Sequence, residues 1–362
     1  MSASQHYDRV LAAATCNLVV ADSADKPQKL AFFHNRTLLE IWHKPEESVI
    51  GQIIWARVSQ IFPQHRRANI ILHDGRPASL RMPVSAKLQS GKLVIVTLTA
   101  EAYADKPAQA ILGAEIAGAF SIIKLLGSGV VRTSFKQSEK PDEGRHNTID
   151  ILQKSLPDKL DLVLRRRASL AEDDVIAKEV STLVALAEEV APALHTTPSE
   201  PSCIFNGVPA LMRAKLQAPE ADNIIDATHD LWDLAAEQSE AACREVVTTQ
   251  SGITLWFSQT KALVAVDVDS AASKLSAEAL VIEACAVLMQ QITLRQYAGI
   301  ILFDLPRLSR SGQNMAKALL DRLAEIAPRH PDILGFGPAG LMELRVRHTR
   351  TPLRDVQAFA EL

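Results

Sequence analysis

Three aspartates sit at the ends of two short apolar runs, and their type and spacing suit metal-assisted chemistry. Asp267 and Asp269 close Leu263-Val264-Ala265-Val266-Asp267-Val268-Asp269-Ser270, and Asp304 closes Gly299-Ile300-Ile301-Leu302-Phe303-Asp304. Carboxylate oxygens are hard donors for Mg2+, which binds through one or two of them and keeps several waters. Such an ion can hold a phosphate oxygen and lower the pKa of an attacking water, which is the chemistry of phosphodiester cleavage. Asp267 and Asp304 are therefore the expected metal ligands. Asp269 is expected to orient the water or complete the outer shell, since residues two apart on a strand are separated by roughly 6.6 Å. The competing reading is structural: a strand-end acid can cap the next helix or pair with Arg307 or Arg310.

The elements that must position these acids follow from pattern. Both runs have the length of strands buried on both faces, and residues 276 to 296 read as a helix between them. A strand, helix, strand unit makes a right-handed crossover, so the two strands are parallel and end at the same sheet edge, where ligands of open sheets bind. Alternation puts Leu263, Ala265, Asp267 and Asp269 on one face.

Upstream, Lys29 to Phe33 and Thr37 to Trp42 flank His34-Asn35-Arg36 as a hairpin. Strands at Gln52 to Phe62, Ala68 to Leu72, Ala78 to Arg81 and Lys92 to Thr99, separated by turn signals such as His73-Asp74-Gly75, have the spacing of a small OB-type barrel. Strands are expected at Ser121 to Leu126, Val130 to Ser134 and Leu160 to Arg166, with a polar stretch from Glu139 to His146 and a long helix from Glu172 to Val190. Thr196 to Ser202 reads as a linker, followed by a helix near 222 to 236. Beyond the crossover, a helix from Ser311 to Ala327 precedes strands at Ile333 to Phe336 and Met342 to Arg347.

Composition narrows the class. The 362 residues are 47% hydrophobic with a net charge of −3, an ordinary folded chain without a global basic field. A polyanion would have to be held by local clusters such as His65-Arg66-Arg67, Arg165-Arg166-Arg167 and Arg345, Arg347, His348 and Arg350. Cys16, Cys203, Cys243 and Cys285 form no Cys-x-x-Cys pair and read as reduced thiols. No segment approaches 18 uninterrupted apolar residues and no signal peptide is evident, so a cytoplasmic setting without membrane contact is expected. No Gly-x-x-x-x-Gly-Lys-Ser/Thr loop is present. Gly335-Phe336-Gly337-Pro338-Ala339-Gly340 fits a dinucleotide fingerprint only in letters, because a strand follows it instead of a helix.

The order of these features resembles the ribonuclease E/G family. Asp267-Val268-Asp269-Ser270, Glu283, Leu294-Arg295, Gly299, the run ending in Asp304, and Gly340-Leu341-Met342-Glu343-Leu344 with Arg347 match the family's carboxy-terminal pattern. Gly51 through Val58 resembles the entry to the family's barrel. The resemblance implies a mixed α/β fold: an RNase H-like domain split by an inserted OB-type barrel, then a βαβ nuclease domain. Its segments would be 1–47 and 111–200 for the split domain, 48–110 for the barrel and 201–362 for the nuclease.

The same resemblance implies Mg2+-dependent cleavage of single-stranded RNA, with Lys106, Arg165 and Arg166 binding RNA. The chain departs from the family at several places. Arg166 stands where threonine usually follows the arginine that binds a 5′-monophosphate, and Ile70 and Ser79 stand where stacking aromatics are expected. The zinc-linking cysteine pair is absent, so no zinc-linked tetramer is expected and a homodimer stays open. The alternative is a relative that binds RNA without cutting it.

Overall fold

The computed structural model describes residues 3–135, 143–225, 229–270, 273–327 and 329–360. Residues 139–142 of the expected polar stretch lie outside them. The architecture is mixed α/β, with a closed five-strand barrel and three further sheets. The chain divides into two compact units, Glu47–Pro219 and Met1–Glu46 with Glu220–Leu362.

In Glu47–Pro219, the strands Ile53–Phe62, Arg67–Ile71, Pro77–Arg81, Ala108–Leu112 and Leu93–Ala100 pair in that order, and the last pairs back onto the first. Ala56, Val58, Ala68, Ile70, Leu80, Val96 and Leu98 fill the closed OB-like barrel. Ile70 is fully buried in that core, so it does not occupy an outward stacking place as the sequence reading holds. Its neighbours on the outward face are Asn69 and Ile71. Ser79 does lie on the outer face, opposite Asn69, and accepts a hydrogen bond of 2.9 Å from Arg67 Nη1.

The same unit holds a second sheet, Val131–Thr133, Leu160–Leu164, Ser121–Leu125 and Glu115–Ala117. The helix Asp173–Val190 buries Ile176, Val180, Leu183 and Ala187, the stripe its periodicity predicts. The unit continues past the expected boundary at 200 because Ser202–Phe205 adds antiparallel to the barrel strand Ile53–Phe62.

In the other unit, the expected hairpin forms from Lys29–His34 and Thr37–His43, with Asn35 at φ 53° in its turn. Leu18–Ala21 extends that sheet and pairs in parallel with Asp222–Ile225. The N-terminal segment thus finds its partner beyond residue 220, whereas the sequence assigns it to a domain with 111–200. That partnership also explains why residues 222–225 are strand instead of helix, the helix starting at His229: pairing overrides local propensity.

The second sheet of this unit runs Val246–Thr248, Thr254–Gln259, Leu263–Asp269, Gly299–Asp304, Met342–Val346, Asp332–Phe336. Only the pair Leu263–Asp269 and Gly299–Asp304 is parallel, joined by the crossover helix Ala277–Leu294 as expected. One face carries the core, in which Leu255, Phe257, Val264, Val266, Ile301 and Phe303 meet that helix and Arg310–Ile326. The opposite face is open, which corrects the expectation of strands buried on both sides. Mostly antiparallel sheets commonly leave one face to water, and the mixed apolar and acidic alternation records it.

Among the described residues, Ala277–Leu294 is the one helix long and apolar enough to cross a membrane, and 61% of that window is buried inside the protein. It is a core helix. At its end Arg295 is 5% exposed, lies 4.3 Å from the centroid of Phe257, and donates to Gln291 Oε1 at 2.7 Å and to the Arg244 carbonyl at 2.7 Å. It ties the strand Thr254–Gln259 to the crossover. Arg295→Ala is expected to cost about 3 kcal/mol, from lost charge-assisted hydrogen bonds and ring stacking. Urea unfolding of the variant against wild type measures it.

Candidate active site

Asp267 and Asp304 are register partners on adjacent parallel strands. Partners across a ladder share a face, and neighbouring strands are about 4.8 Å apart, so the two carboxylates stand side by side on the open face. Both are exposed, as is Asp269, which pairs with Thr254 one step further along. The spacing between Asp267 and Asp269 expected from alternation is kept.

The structural alternative for Asp267 and Asp304 finds no support. The helices after the two strands are capped by serines: Ser276 Oγ accepts from the Ala279 N–H and Ser309 Oγ from the Gly312 N–H. Among the described residues, Asp267 and Asp304 make no side-chain hydrogen bond or ion pair with Arg307, Arg310 or any other residue. Two carboxylates directly opposite each other repel, and the fold spends nothing to relieve them.

Among the described residues, no group of three or more His, Cys, Asp and Glu is arranged to hold a metal ion. The donors available here are the Asp267 and Asp304 carboxylates, an open hard-oxygen pair. That set fits Mg2+, which takes one or two protein carboxylates and fills the rest of its octahedron with water and substrate phosphate. It does not fit zinc, which favours closed sets of cysteine and histidine.

Two further residues share this open face. Glu343 stands opposite Leu302, diagonal to Asp304, with its carboxylate against Gly337, where a Cβ would collide with it. Trp256, opposite Asp267, is 49% exposed. The sequence reading passed over Trp256, although counting outward from the turn at Thr260 to Ala262 puts it beside Asp267. Glu283 of the crossover helix turns away, accepting a 2.5 Å hydrogen bond from Ser251 Oγ.

The residues expected to bind RNA are set differently. Lys106 is exposed in the turn between Leu93–Ala100 and Ala108–Leu112, where its N–H donates to the Tyr103 carbonyl. Arg165 is half-buried, and Nη1 donates to the Gly118 carbonyl at 2.6 Å. Burial pulls its pKa down against the pull of Glu179. Glu179 is itself pushed up by burial, although the Ala119 and Phe120 N–H groups and Ser121 Oγ donate to it. Arg165 therefore serves a buried network. Arg166 opens the short 3-10 helix Arg166–Leu170 and is half-buried. Gly335 to Gly340 forms the end of a strand and a hairpin turn, as the letters-only match requires.

Residues 230–349 match the model of the Ribonuclease E/G family. The match takes in the whole aspartate-bearing sheet and leaves the barrel outside it. The similarity to that family covers about a third of the chain. No curated protein matches the chain.

Because the paired acids repel and support no contact, removing one charge is expected not to harm the fold. Asp267→Asn and Asp304→Asn should melt at or slightly above wild type in EDTA, the gain being of order 0.2–1 kcal/mol. A fall in melting temperature would mean that these acids are structural.

Proposed function

We propose that the protein is an endoribonuclease that cleaves single-stranded RNA with Mg2+. The observation that carries this reading is the register pairing of exposed Asp267 and Asp304 at the carboxyl ends of adjacent parallel strands, within the segment that matches the family. Asp267 and Asp304 would hold the ion. When bound, it supplies charge for a phosphate oxygen and acidifies a water. Asp269, one step along the same face, would accept a hydrogen bond from the attacking water and hold it in line. The open face admits a chain without requiring a duplex to fit a cleft.

The RNA backbone would be held by the polar outer face of the barrel, where Arg67 and Arg81 stand directly opposite each other, and by Lys106. Two like charges in register are unfavourable alone and gain from a bridging phosphate. The finer family assignment, an RNase H-like domain split by the barrel, belongs to this same reading. A split domain is supported by the parallel pairing of Leu18–Ala21 with Asp222–Ile225, with Glu47–Pro219, and not the barrel alone, lying between them in the chain. The four free thiols suit a reducing, cytoplasmic setting.

Labelled AU-rich single-stranded RNA with Mg2+ should be cut by wild type, and Asp267→Asn or Asp304→Asn should lower kcat by at least about 100-fold. RNA that is bound but left intact by wild type would replace this reading with that of a binding protein. Since Arg165 is engaged by Gly118 within the protein, RNAs carrying 5′-monophosphate and 5′-triphosphate should be cut at equal rates. A strong preference for the monophosphate would show that this arginine is released for substrate.

A further inference from the structure

We infer that Trp256 is the stacking platform for the base next to the scissile phosphate. This rests on the reading of Asp267 and Asp304 given above and extends it to a residue that decides how the substrate is seated. Among the residues whose side chains are described, Trp256 is the one aromatic that is exposed. Trp42 and Trp55 are buried, and Trp232 is half-buried. The outer face of the barrel, where aromatics would ordinarily stack bases, carries Arg67, Asn69, Ser79 and Arg81 instead.

Position makes the exposure specific. Trp256 is opposite Asp267, which is opposite Asp304, so the three lie in one row across three neighbouring strands. Its own strand neighbours, Leu255 and Phe257, are buried in the core, which fixes the indole on the open side. The strand is pinned from behind by Arg295 against Phe257, so the platform cannot sink. Along the strand, Trp256 is flanked on its face by Thr254 and Ser258, and across it by Val246 on one side and Asp267 on the other. A surface for another protein would be poor in charge at its centre, and here two carboxylates stand in the row with the ring. A base offers a π-face to the indole, while its phosphate lies one or two strands away at the carboxylates. Stacking needs no particular base, so it holds RNA in place without restricting sequence.

The test uses the full chain and short single-stranded RNA with Mg2+. Trp256→Leu keeps apolar bulk and removes the indole, and is expected to lower kcat/KM about tenfold, the loss of one stacked base. Trp256→Phe should retain most of it. RNAs with one abasic nucleotide placed successively around the cleavage position add the readout that a structural role would not move. At one position the abasic substitution should reduce wild type as much as Trp256→Leu does, and Trp256→Leu should lose nothing further there.

Wild-type rates for Trp256→Leu would overturn the inference while leaving the aspartate site standing. So would an equal loss on intact and abasic RNA, which marks a folding defect. A wild-type dimer that becomes monomeric in Trp256→Leu with unchanged cleavage would also overturn it, assigning the face to a second copy of the chain. Wild-type protein that neither binds nor cuts RNA would remove the reading of the aspartates and this inference together.

Discussion

The ladder between Leu263–Asp269 and Gly299–Asp304 is the constraint on which the candidate site depends. It is the one parallel pairing in a sheet whose other neighbours are all antiparallel. Parallel strands end at the same edge, and only that brings two acids from distant parts of the chain into register. The crossover helix makes the pairing possible. Ala277–Leu294 is almost wholly apolar on the sides that meet the sheet and the neighbouring helix, with Val281, Cys285, Leu288 and Ile292 buried. A shift of one residue in register would send Asp267 into that core and Val266 to water, so hydrophobic burial fixes the position of the acids.

The open face matters as much as the pairing. A sheet covered on both sides would have buried Asp267 and Asp304 at a large desolvation cost and closed the site to a polymer. Here helices cover one side only, and the exposed side keeps the carboxylates hydrated. The serine caps at Ser276 and Ser309 complete the arrangement. By satisfying the helix N-termini themselves, they leave Asp267 and Asp304 out of the capping.

Much of this was legible in the sequence where a local pattern and its tertiary environment agree. The Asp267 and Asp304 pair, the hairpin at Lys29–His34 and Thr37–His43, and the four barrel strands that were anticipated all follow from alternation and turn chemistry. What was not legible depended on partners far away in the chain. Asp222–Ile225 reads as the start of a helix until Leu18–Ala21 is known to pair with it, and Ser202–Phe205, at the end of the expected linker, is assigned no strand until it adds to the barrel edge. Ile70 was misplaced because its face depends on register in a closed barrel. Trp256 was overlooked because it lies in an apolar triplet, Leu255-Trp256-Phe257, whose central member looks buried until one face of the sheet is known to be open.

Charge explains why a stacking contact matters at this site more than another cation would. The face around Asp267 and Asp304 also carries Asp269 and Glu343, and Arg345 at its far row is paired with Asp332 at 3.0 Å. A polyanion gains little from such a surface until a divalent ion is present. Adding arginines beside the carboxylates would compete with that ion for them and weaken the chemistry. An aromatic ring adds affinity for a nucleotide without changing the field at the proposed metal ligands, because its contact is with the base and not the phosphate. The long-range attraction can then come from basic residues elsewhere, while the residues at the site hold one phosphate and one base. A chain of net charge −3 can thus act on RNA if its positive residues and its acids are kept in different places.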